Sequence, residues 1–545
     1  MTTPTRSRTL GNDSRLPLFL GLDLSTQSLT SLVLDSAGNV VSSLSLNFDR
    51  QFPAYGTLGG VLPGRGDSTV VHGDPLLWAE ALEGMMALLG REGVLSRIRA
   101  VAVSAQQHGT VYLKSSFAST LASLAGHVAL QDQIAPELAR RTAPVWMDSS
   151  TEKECGEITA ALGGDAAVAA LTGSRATERF AAAQIRKFFQ HYPRKYEKTG
   201  HIALVSSFVT SLLAGRIAPV DGGDGFGTNL ANISQGIWSS AALEATAPEL
   251  QRRLPSLALR DTVVGPVAPF WTERFGFFPE ALVITGSGDN PCSLVGLGLL
   301  ENEATGAISL GTSDTFFGYR RHLPPGGRTE GHLFGTADGG YMALLCFKNG
   351  SLTRQHVRDA FGLTWEGFSD LLLSTPPGNG GRGMLPWLLP EITPRVLRPE
   401  VRYFGGLTAD DPGRCVRGVA EGQACALRLH ARAMGPLPES LLVTAGGSEN
   451  PGLLQVLADV FGVPVRTIAI RDSAALGAAL RAAHLFLREQ GTPRSWRDLA
   501  APLTNTFSGE VRPRPEAPEV YSRAGGFLEL YAREEARALE ALGGA

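Results

Sequence analysis

The sequence predicts an α/β fold with two similar halves that face each other across a cleft. Two observations support this prediction. A segment made of a strand, a polar turn and a second strand occurs near the beginning of the 545-residue chain and again just past its midpoint. A second segment, in which a strand leads through glycines and an acidic residue to Asn-Pro and a helix, also occurs twice.

The first strand–turn–strand segment begins at Leu16. Apolar strands are predicted at 16–22 and 29–35, and the polar turn "DLSTQS", Asp23 to Ser28, joins them. The second copy places the turn "GTSDT", Gly311 to Thr315, between strand-like residues 307–310 and 316–319. Each turn contains a carboxylate and hydroxyl groups. We therefore expect the two turns to lie opposite each other at the cleft.

The second repeated segment includes "GSGDNP", Gly286 to Pro291, between a predicted strand at 281–285 and a helix at 292–300. Asn290 is predicted to cap the helix, with Pro291 at the first helical position, where a missing N–H is tolerated. Asp289 is then exposed at the positive end of the helix, which favours the ionised carboxylate. The cap needs only Asn290, so Asp289 is available for chemistry.

The later copy, "VTAGGSENPGLL", covers Val443 to Leu454. Here Pro451 is predicted to open the helix and Gly462 to end it. Helices are also predicted at 78–89, 474–487 and 527–542. Gly, Pro and Ser indicate loops near 51–67, 221–228 and 324–328. A domain boundary is expected near 301–305, just before the second strand–turn–strand segment.

Composition restricts the function classes. Hydrophobic residues make up 43% and charged residues 19%, and Lys+Arg 49 against Asp+Glu 52 leaves a net charge of -3, without the basic excess of a nucleic-acid or membrane-surface protein. The five cysteines form no CxxC pair, so neither a zinc site nor a disulfide framework is indicated. The opening 25 residues do not fit a signal peptide, and no window reaches the ~20 apolar residues of a membrane span. A cytoplasmic location is expected.

The two polar turns are suited to bind phosphate, because successive backbone N–H groups form an anion-binding concavity. Asp23 and Asp314, one in each turn, are candidates to hold Mg²⁺, which favours carboxylate oxygen together with water and phosphate. The chain has no Walker A sequence, so a nucleotide site here is not of the P-loop type. Asp, Ser and Thr are also ordinary turn residues, and that interpretation stays open for either turn alone.

Three further clusters have side chains that suit a sugar. "AQQHG" contains Gln106, Gln107 and His108, which can hydrogen-bond to several hydroxyls, or form an ordinary loop. "TGSRATERF" contains Arg179, in a sugar pocket or at a solvated helix end. Trp146 could present its ring to a sugar or lie in the core. If a nucleotide is held by the turns, Asp289 within hydrogen-bond reach of an acceptor hydroxyl is enough to take its proton.

Several motifs together resemble the FGGY carbohydrate kinases, which are relatives of actin and the heat-shock chaperone ATPases. These are "GLDLSTQS", "ITGSGDNP", "SLGTSDT" and "TAGGSENPGLLQVLADV". The resemblance runs from about Leu16 to about Leu487. "AQQHGTVYL", "PVWMDSST" and "LTGSRATERF" resemble the branch that phosphorylates D-xylulose in its animal form. "AQQHG" and "WMDSS" depart from the bacterial pattern of that branch.

The resemblance implies two ribonuclease-H-like domains flanking a catalytic cleft: residues 15–302, which bind the sugar, and residues 303–490, which bind ATP, followed by a C-terminal extension, 491–545. It implies ATP and Mg²⁺ as cofactors and Asp289 as the general base. Sugar contacts fall on His108, Arg179, Asp289 and Asn290; the nucleotide on Thr26, Gly311, Thr312, Trp365, Gly446, Gly447 and Asn450; and the metal on Asp23.

The function expected from these motifs is ATP-dependent phosphorylation of D-xylulose on its 5-hydroxyl, by a monomer or homodimer with no nucleic-acid or membrane partner. One alternative is the same chemistry on another ketose or polyol, such as ribulose or glycerol. A second is an actin-like or chaperone-like ATPase that acts on a protein partner. That class needs neither a base for an acceptor hydroxyl nor a sugar pocket. A non-catalytic sensor is disfavoured, because Asp23, Asp289 and both turns are present.

Overall fold

The structure is a computed structural model that describes residues 16–64, 66–325, 327–468, 472–504 and 507–542. The segment considered above as a targeting sequence lies, up to residue 15, outside the described residues. Within the described ranges, none of the helices has the length and apolar composition needed to cross a membrane.

Among the described residues, the first half of the chain contains a seven-stranded mixed sheet, four two-stranded sheets and flanking helices. Its strands are β1 Leu18–Leu24, β2 Ser28–Asp35, β3 Val40–Asn47, β4 His72–Gly73, β5 Ile98–Ala105, β6 Thr110–Leu113, β7 Ala143–Pro144, β8 His201–Leu204, β9 Val220–Asp221, β10 Ala231–Asn232, β11 Ile237–Trp238, β12 Leu257–Ala258, β13 Val263–Pro266, β14 Leu282–Ile284 and β15 Ser287–Gly288. Its helices are α1 Phe48–Gln51, α2 Pro75–Arg91, α3 Phe117–Ala122, α4 Leu130–Ile134, α5 Glu152–Ala161, α6 Asp165–Thr172, α7 Ala181–His191, α8 Pro193–Glu197, α9 Val205–Ala214, α10 Gly222–Gly225, α11 Ser240–Thr246, α12 Pro269–Phe275 and α13 Asp289–Gly296.

The second half repeats the architecture. Its strands are β16 Thr305–Leu310, β17 Asp314–Arg320, β18 His332–Gly335, β19 Tyr341–Phe347, β20 Gly383–Pro386, β21 Val401–Phe404, β22 Ser440–Thr444, β23 Val465–Ile468 and β24 Phe507–Val511. Its helices are α14 Ser351–Ala360, α15 Trp365–Ser374, α16 Pro412–Ala433, α17 Pro451–Phe461, α18 Ser473–Glu489, α19 Trp496–Thr504 and α20 Phe527–Ala541.

The two large sheets share one strand order. In the first, β3, β2 and β1 are antiparallel neighbours, and β5 and β14 then follow β1 in parallel. In the second, β19, β17 and β16 are antiparallel neighbours, and β22 and β23 follow β16 in parallel. The prediction of an α/β fold with two similar halves is confirmed. Both predicted strand–turn–strand segments are present as β1–β2 and β16–β17.

Two helices, α13 and α18, pack closely together. A Cβ atom on Gly477 of α18 would lie 1.8 Å from the carbonyl oxygen of Cys292 in α13, and one on Gly21 of β1 would lie 2.0 Å from the carbonyl oxygen of Ala475. Only glycine permits such close approach of two backbones. One cluster of buried apolar residues includes members of both sheets and both helices, for example Leu32, Leu294 and Leu442. The two halves therefore share a continuous core behind the cleft.

Most predicted helices are present, with α2, α18 and α20 at the expected places. Asp74 caps α2 by accepting a hydrogen bond from the backbone N–H of Leu76, and Pro75 opens the helix. The prediction of a loop at 221–228 is wrong. These residues are buried and form α10 followed by a 3₁₀ turn at Phe226–Thr228, because Asp221 accepts from the backbone N–H of Asp224 and caps the short helix.

Candidate active site

The candidate site lies where the carboxyl ends of parallel strands meet, which is where α/β sheets usually bind ligands. Asp23, near the end of β1, is the register neighbour of Ser104 in β5, and Ser104 is also paired with Ser287 of β15. Asp289 follows β15 directly. At the second sheet, residues 311–313 follow β16 and residues 445–449 follow β22, so the polar segments of both halves face the cleft.

Asp289 begins α13, which corrects two sequence expectations. Gly288, and not Asn290, is the N-cap residue, and the helix ends at Gly296 rather than at residue 300. Asn290 lies inside the first turn, where its backbone N–H donates to Oδ1 of Asp289 over 2.8 Å and its side-chain amide donates to the same oxygen over 3.0 Å. The amide also donates to Oε1 of Gln107 over 2.9 Å. Asn290 thus fixes the orientation of the Asp289 carboxylate.

The expectation that Asp289 is exposed and readily ionised is wrong. The side chain is half-buried, and burial, together with repulsion from Asp23, raises its pKa to about 7. The hydrogen bonds from Asn290 oppose this shift without cancelling it. A carboxylate with a pKa near 7 is well matched to take a proton from a hydroxyl at neutral pH.

Asp23 interacts electrostatically with Asp289, and its own pKa is also raised. Burial raises its pKa to about 6, and the negative charge of Asp472 adds to this, while a hydrogen bond of 2.6 Å from the hydroxyl of Ser104 acts in the opposite direction. The cleft therefore places two carboxylates close enough to repel one another.

A cavity of about 690 Å³ opens between the two sheets and is lined by Asp289, Asn290, His108 and Arg179. These are all four of the residues predicted to contact a sugar, so the structure brings the predicted set together. Trp146 lines the same cavity and is 43% exposed, which excludes the alternative that it lies in the core. We refer to this space as the acceptor cavity.

His108 enters the acceptor cavity as a neutral ring. Its Nδ1 lies 2.9 Å from the carbonyl oxygen of Gly227, and because a carbonyl only accepts, Nδ1 carries the proton. Burial, with a contribution from Arg179, lowers the pKa of His108 to about 3. The ring stacks on Phe180 with centroids 4.2 Å apart. His108 therefore offers a hydrogen-bond acceptor, Nε2, in a fixed orientation.

Arg179 is held by a second histidine. Its Nη2 donates to Nε2 of His332 over 3.3 Å, and Nδ1 of His332 lies 3.1 Å from the hydroxyl of Ser174. The Nε of Arg179 is buried and has no hydrogen-bond partner among the described residues. A guanidinium with an unused donor in a polar cavity is suited to bind the oxygen of a ligand.

The first turn joins the tryptophan to the sheet edge. The indole N–H of Trp146 donates to Oγ1 of Thr26 over 2.8 Å, and Thr26 lies 3.5 Å from Oε1 of Gln106. The Thr26 hydroxyl thus orients Trp146, and the contact of Thr26 with a phosphate stays a prediction.

A second cavity, of about 850 Å³, is lined by residues of the second half and contains six of the seven predicted nucleotide-binding positions: Gly311, Thr312, Trp365, Gly446, Gly447 and Asn450. Thr312 also lines the acceptor cavity. The two cavities therefore meet at the second turn. We refer to this space as the nucleotide cavity.

The nucleotide cavity is built by two helix N-termini. Asn450 caps α17 by accepting from the backbone N–H of Leu453 over 3.0 Å, and Gly462 ends that helix with a φ of 72°, as predicted. Trp365 opens α15, is 41% exposed, and has the guanidinium of Arg358 4.5 Å above its ring. A Cβ on Gly447 would lie 2.5 Å from the Cβ of Leu310. Gly447 thus lets the loop after β22 approach β16.

The prediction that Asp314 helps to hold Mg²⁺ is wrong. The side chain of Asp314 is buried, and both oxygens accept from the guanidinium of Arg354, over 2.6 and 2.9 Å. Arg354 in turn donates to Gln423 over 2.8 Å. A carboxylate whose two oxygens are bound to one arginine is not free to hold a metal.

Sequence reasoning missed Lys348, His332 and Asp148, which also line the acceptor cavity. Lys348 follows β19, and its position after a buried strand of the second sheet was the available signal. Nothing in the sequence indicates His332, because its partner Arg179 is far away in the chain.

Two family models match the chain. A model of the N-terminal domain of the FGGY family of carbohydrate kinases matches residues 126–296, and a model of the C-terminal domain matches residues 306–486. Xylulose kinase from Rattus norvegicus is 39% identical over 535 residues, which cover 95% of this chain and 97% of that protein.

Solved structures of two kinases have the same fold. Gluconate kinase from Lactobacillus acidophilus has a TM-score of 0.79 at 18% identity, with 96% of this chain and 99% of that chain covered. Xylulose kinase from Rhodospirillum rubrum has a TM-score of 0.78 at 19% identity, with the same coverage. Because the two are named for different sugars and superpose equally well, the likeness identifies the fold and not the sugar.

Proposed function

The chain belongs to the FGGY family of carbohydrate kinases, and we propose that it transfers the γ-phosphoryl group of ATP to the 5-hydroxyl of D-xylulose. Membership of the family makes the chain a sugar kinase that uses ATP. The choice of D-xylulose rests on the relative at 39% identity over nearly the whole chain. The choice of the 5-hydroxyl rests on the same relative, and the cleft supports Asp289 as the base for an acceptor hydroxyl.

The observation that carries the proposal is the meeting of the two cavities at Thr312. Asp289 lines the acceptor cavity, and the nucleotide cavity lies on the other side of Thr312. A sugar in the first and ATP in the second would bring an acceptor hydroxyl and the terminal phosphoryl group together at one point. Phosphoryl transfer depends mainly on such positioning and on charge stabilisation.

In the proposed reaction, the oxygen of the sugar 5-hydroxyl attacks the γ-phosphorus as the bond to the β–γ bridging oxygen breaks. ADP leaves, and Asp289 takes the hydroxyl proton. Asn290 keeps the carboxylate oriented by two hydrogen bonds to Oδ1. The pKa of Asp289, about 7, leaves a substantial fraction of this carboxylate ionised at neutral pH.

Other lining residues have roles in holding the sugar. The Nε2 of His108 accepts a hydrogen bond from one hydroxyl, and Arg179 donates to another oxygen. The exposed ring of Trp146 offers an apolar face to the carbon skeleton. Lys348 adds a positive charge to the same cavity, where negative charge moves during transfer.

Asp23 is suited to bind a magnesium ion that arrives with ATP. Within the described ranges no cluster of three or more His, Cys, Asp or Glu side chains could hold a metal by itself. Mg²⁺ is commonly bound by one or two carboxylates together with water and substrate phosphates, and Asp23, whose pKa is raised and which has no cationic partner among its described neighbours, provides such a carboxylate. When bound, the ion neutralises charge on the phosphates.

We further propose that the units 15–302 and 303–490 close on each other when the sugar binds, because exclusion of water limits wasteful hydrolysis of ATP. Small-angle scattering with and without D-xylulose measures this closure. A smaller radius of gyration with sugar is expected, and an unchanged radius contradicts it.

The decisive experiment is a coupled assay of ADP release with Mg-ATP and each of D-xylulose, D-ribulose, L-ribulose, glycerol or no sugar, on the wild type and on Asp289→Asn. Strong turnover with D-xylulose alone, lost in the variant, supports substrate and base together. Turnover with a different sugar overturns the substrate and keeps the kinase. Sugar-independent release that survives the substitution indicates an ATPase in which Asp289 is a structural residue.

A further inference from the structure

A third cavity, of about 830 Å³, lies in the first half of the chain and is similar in volume to the nucleotide cavity. Its lining comes from four segments, within residues 55–64, 70–72, 140–142 and 188–195, and none of the lining residues lines the acceptor or nucleotide cavity. We refer to it as the basic cavity. The proposed phosphoryl transfer uses none of its residues.

The charge of the basic cavity is one-sided. Arg140, Arg141 and Lys195 line it, and no Asp or Glu is among its described lining residues. Arg141 forms an ion pair with Asp74 over 2.6 Å, which neutralises it. Within the described residues, neither Arg140 nor Lys195 has a carboxylate partner. Two cations without counterions therefore face one space, an arrangement that attracts an anion.

Arg140 is held in place by aromatic rings and one histidine. Its guanidinium carbon lies 5.2 Å from the ring centroid of Tyr112 and 5.0 Å from that of Phe188. Nη2 is 3.2 Å from Nε2 of His72, and Nδ1 of His72 is 2.7 Å from the hydroxyl of Thr142. His72 accepts from Arg140 and is therefore neutral; burial, and then the charge of Arg140, lower its pKa to about 4.

Among the described residues no carboxylate contacts Arg140 directly, although Asp148 also approaches His72, with its Oδ2 3.6 Å from Nε2 of that ring. The Nη1 of Arg140 is buried and has no hydrogen-bond partner among the described residues. Desolvating a charged group without a counterion is costly, and the cost falls when an anion binds beside the guanidinium. Planar guanidinium groups bind phosphate oxygens particularly well.

Aromatic rings line a further part of the basic cavity. Tyr55 is fixed by a hydrogen bond of 2.7 Å from its hydroxyl to Glu80. Tyr192 is 52% exposed, and the Nζ of Lys195 lies 5.3 Å from its ring centroid. Aromatic rings can pack against the apolar faces of a sugar ring, while the neighbouring cations bind its phosphate. The volume far exceeds what a bare phosphate ion fills.

We infer that the basic cavity binds a phosphorylated sugar, with the phosphate between Arg140 and Lys195 and the sugar ring against the tyrosines. The wall that includes Thr142 continues directly into Trp146 and Asp148, which line the acceptor cavity on its other side. Asp148 also accepts from the backbone N–H of Val71 over 3.0 Å, which joins the two walls. The two cavities can thus be separated by substitutions on one short segment.

Calorimetric titration of the full chain, without ATP or D-xylulose, tests the inference with three probes: D-ribose 5-phosphate, inorganic phosphate and D-ribose. D-ribose 5-phosphate is expected to bind to the wild type more tightly than inorganic phosphate, and D-ribose not at all. Arg140→Ala should weaken binding of D-ribose 5-phosphate by roughly 10- to 100-fold, the range for loss of a charge-assisted hydrogen bond. The exposed Lys195→Ala should weaken it by about two- to fivefold, with a larger effect at low salt.

The controls use neighbouring residues. Arg194→Ala removes an exposed cation of α8 that does not line the cavity, and Trp146→Ala alters the acceptor cavity; both should bind D-ribose 5-phosphate as the wild type does. If Arg140→Ala fails to fold, Lys195→Ala decides, because its side chain is exposed.

The inference is overturned if D-ribose 5-phosphate binds no more tightly than inorganic phosphate, or if Lys195→Ala binds it as the wild type does at low salt. Loss of binding in Trp146→Ala with retention in Arg140→Ala places the ligand in the acceptor cavity and also overturns it. Because the titration contains no ATP and no phosphoryl group is transferred, the result does not depend on whether the chain is a xylulose kinase.

Discussion

The two polar turns have nearly the same construction and different fates for their carboxylates. Asp23, in the first turn, has no cationic partner among its described neighbours, and burial raises its pKa to about 6. Asp314, in the second turn, is bound through both oxygens to Arg354. The carboxylate of Asp23 is available to a ligand in the cleft, whereas the carboxylate of Asp314 is used in an ion pair within the protein. Repetition of a backbone segment therefore does not repeat the role of its side chains.

The two Asn-Pro segments differ in the same way. In the first, the helix begins at Asp289, and Asn290 binds the side chain of Asp289. In the second, the helix begins after Asn450, which binds the backbone of its own helix. The start of the helix has moved by two residues, and this shift places an acid in the first turn of α13 and leaves Glu449 outside α17.

The largest expected effect tests the contrast between these two acids. Asp289→Asn should lower kcat with D-xylulose by roughly 10² to 10⁴, the usual contribution of a general base, while calorimetry shows ATP binding little changed. Glu449→Gln is the matched control, and its kcat should stay close to that of the wild type. Equal loss of kcat in both variants would show that the two copies have equivalent roles.

The same contrast predicts the pH profile. Because the pKa of Asp289 is raised to about 7, the carboxylate loses its charge as the pH falls through that value. The wild-type kcat/KM should therefore fall about tenfold per pH unit below pH 7 and level off above it. A profile that stays flat down to pH 5 would exclude Asp289 as the titrating base.

Asp314→Asn should reduce stability rather than catalysis. The substitution leaves the guanidinium of Arg354 buried without its counterion, which costs about 3–5 kcal/mol of unfolding free energy in such pairs. Asp23→Asn is the comparison, because it removes no ion pair and should unfold near the wild-type midpoint. Urea denaturation of the two variants measures the difference in their unfolding free energies. A stable Asp314→Asn protein would mean that the pair with Arg354 contributes little.

Asp23→Asn should reduce kcat by roughly 10²-fold, as expected for loss of an electrostatic contact to the transferring group. Removing the charge of Asp23 also removes a repulsion that raises the pKa of Asp289. The acid limb of the pH profile should then move to lower pH. A reduced kcat with an unmoved acid limb would indicate that the two carboxylates do not interact.

These contrasts show what the sequence could reveal. The family resemblance supplied the set of residues that converge on the cleft, and local patterns were sufficient for the strand–turn–strand segments and for α2, α17 and α18. Local patterns were insufficient for the protonation of Asp289, because burial by the opposite half of the molecule is not a local property. They also failed for Asp314, whose partner Arg354 lies 40 residues later in the chain.

The helical segment 221–228 and the side chain of His332 illustrate the same limit. Four glycines in "DGGDGFG" indicate a flexible loop by composition, yet packing under the cleft makes it a buried helical turn capped by Asp221. The hydrogen-bond partners of His332 are Arg179 and Ser174, both more than 150 positions earlier. Contacts between the halves decide such cases.

A smaller effect is expected from Arg179→Ala. The guanidinium lines only the acceptor cavity, so its loss should raise KM for D-xylulose by about tenfold, with little effect on KM for ATP. Arg179→Lys keeps the charge but not the contact geometry and should recover only part of the affinity. A larger increase of KM for ATP than for sugar would remove Arg179 from the proposed sugar site.

The smallest effect compares the two exposed tryptophans, one in each cavity. Trp365→Ala should raise KM for ATP by roughly five- to tenfold, since stacking of a base on an aromatic ring contributes ~1–3 kcal/mol. The guanidinium of Arg358, 4.5 Å from the ring centroid of Trp365 in the wild type, can replace part of that contribution. Trp146→Ala should instead raise KM for D-xylulose, because its ring lines only the acceptor cavity. Opposite selectivity of the two variants, measured by steady-state kinetics with each substrate varied in turn, is what two distinct cavities that meet only at Thr312 require. If both tryptophans affected both KM values equally, sugar and nucleotide would have to share one space, and Asp289 could no longer be assigned to the acceptor alone.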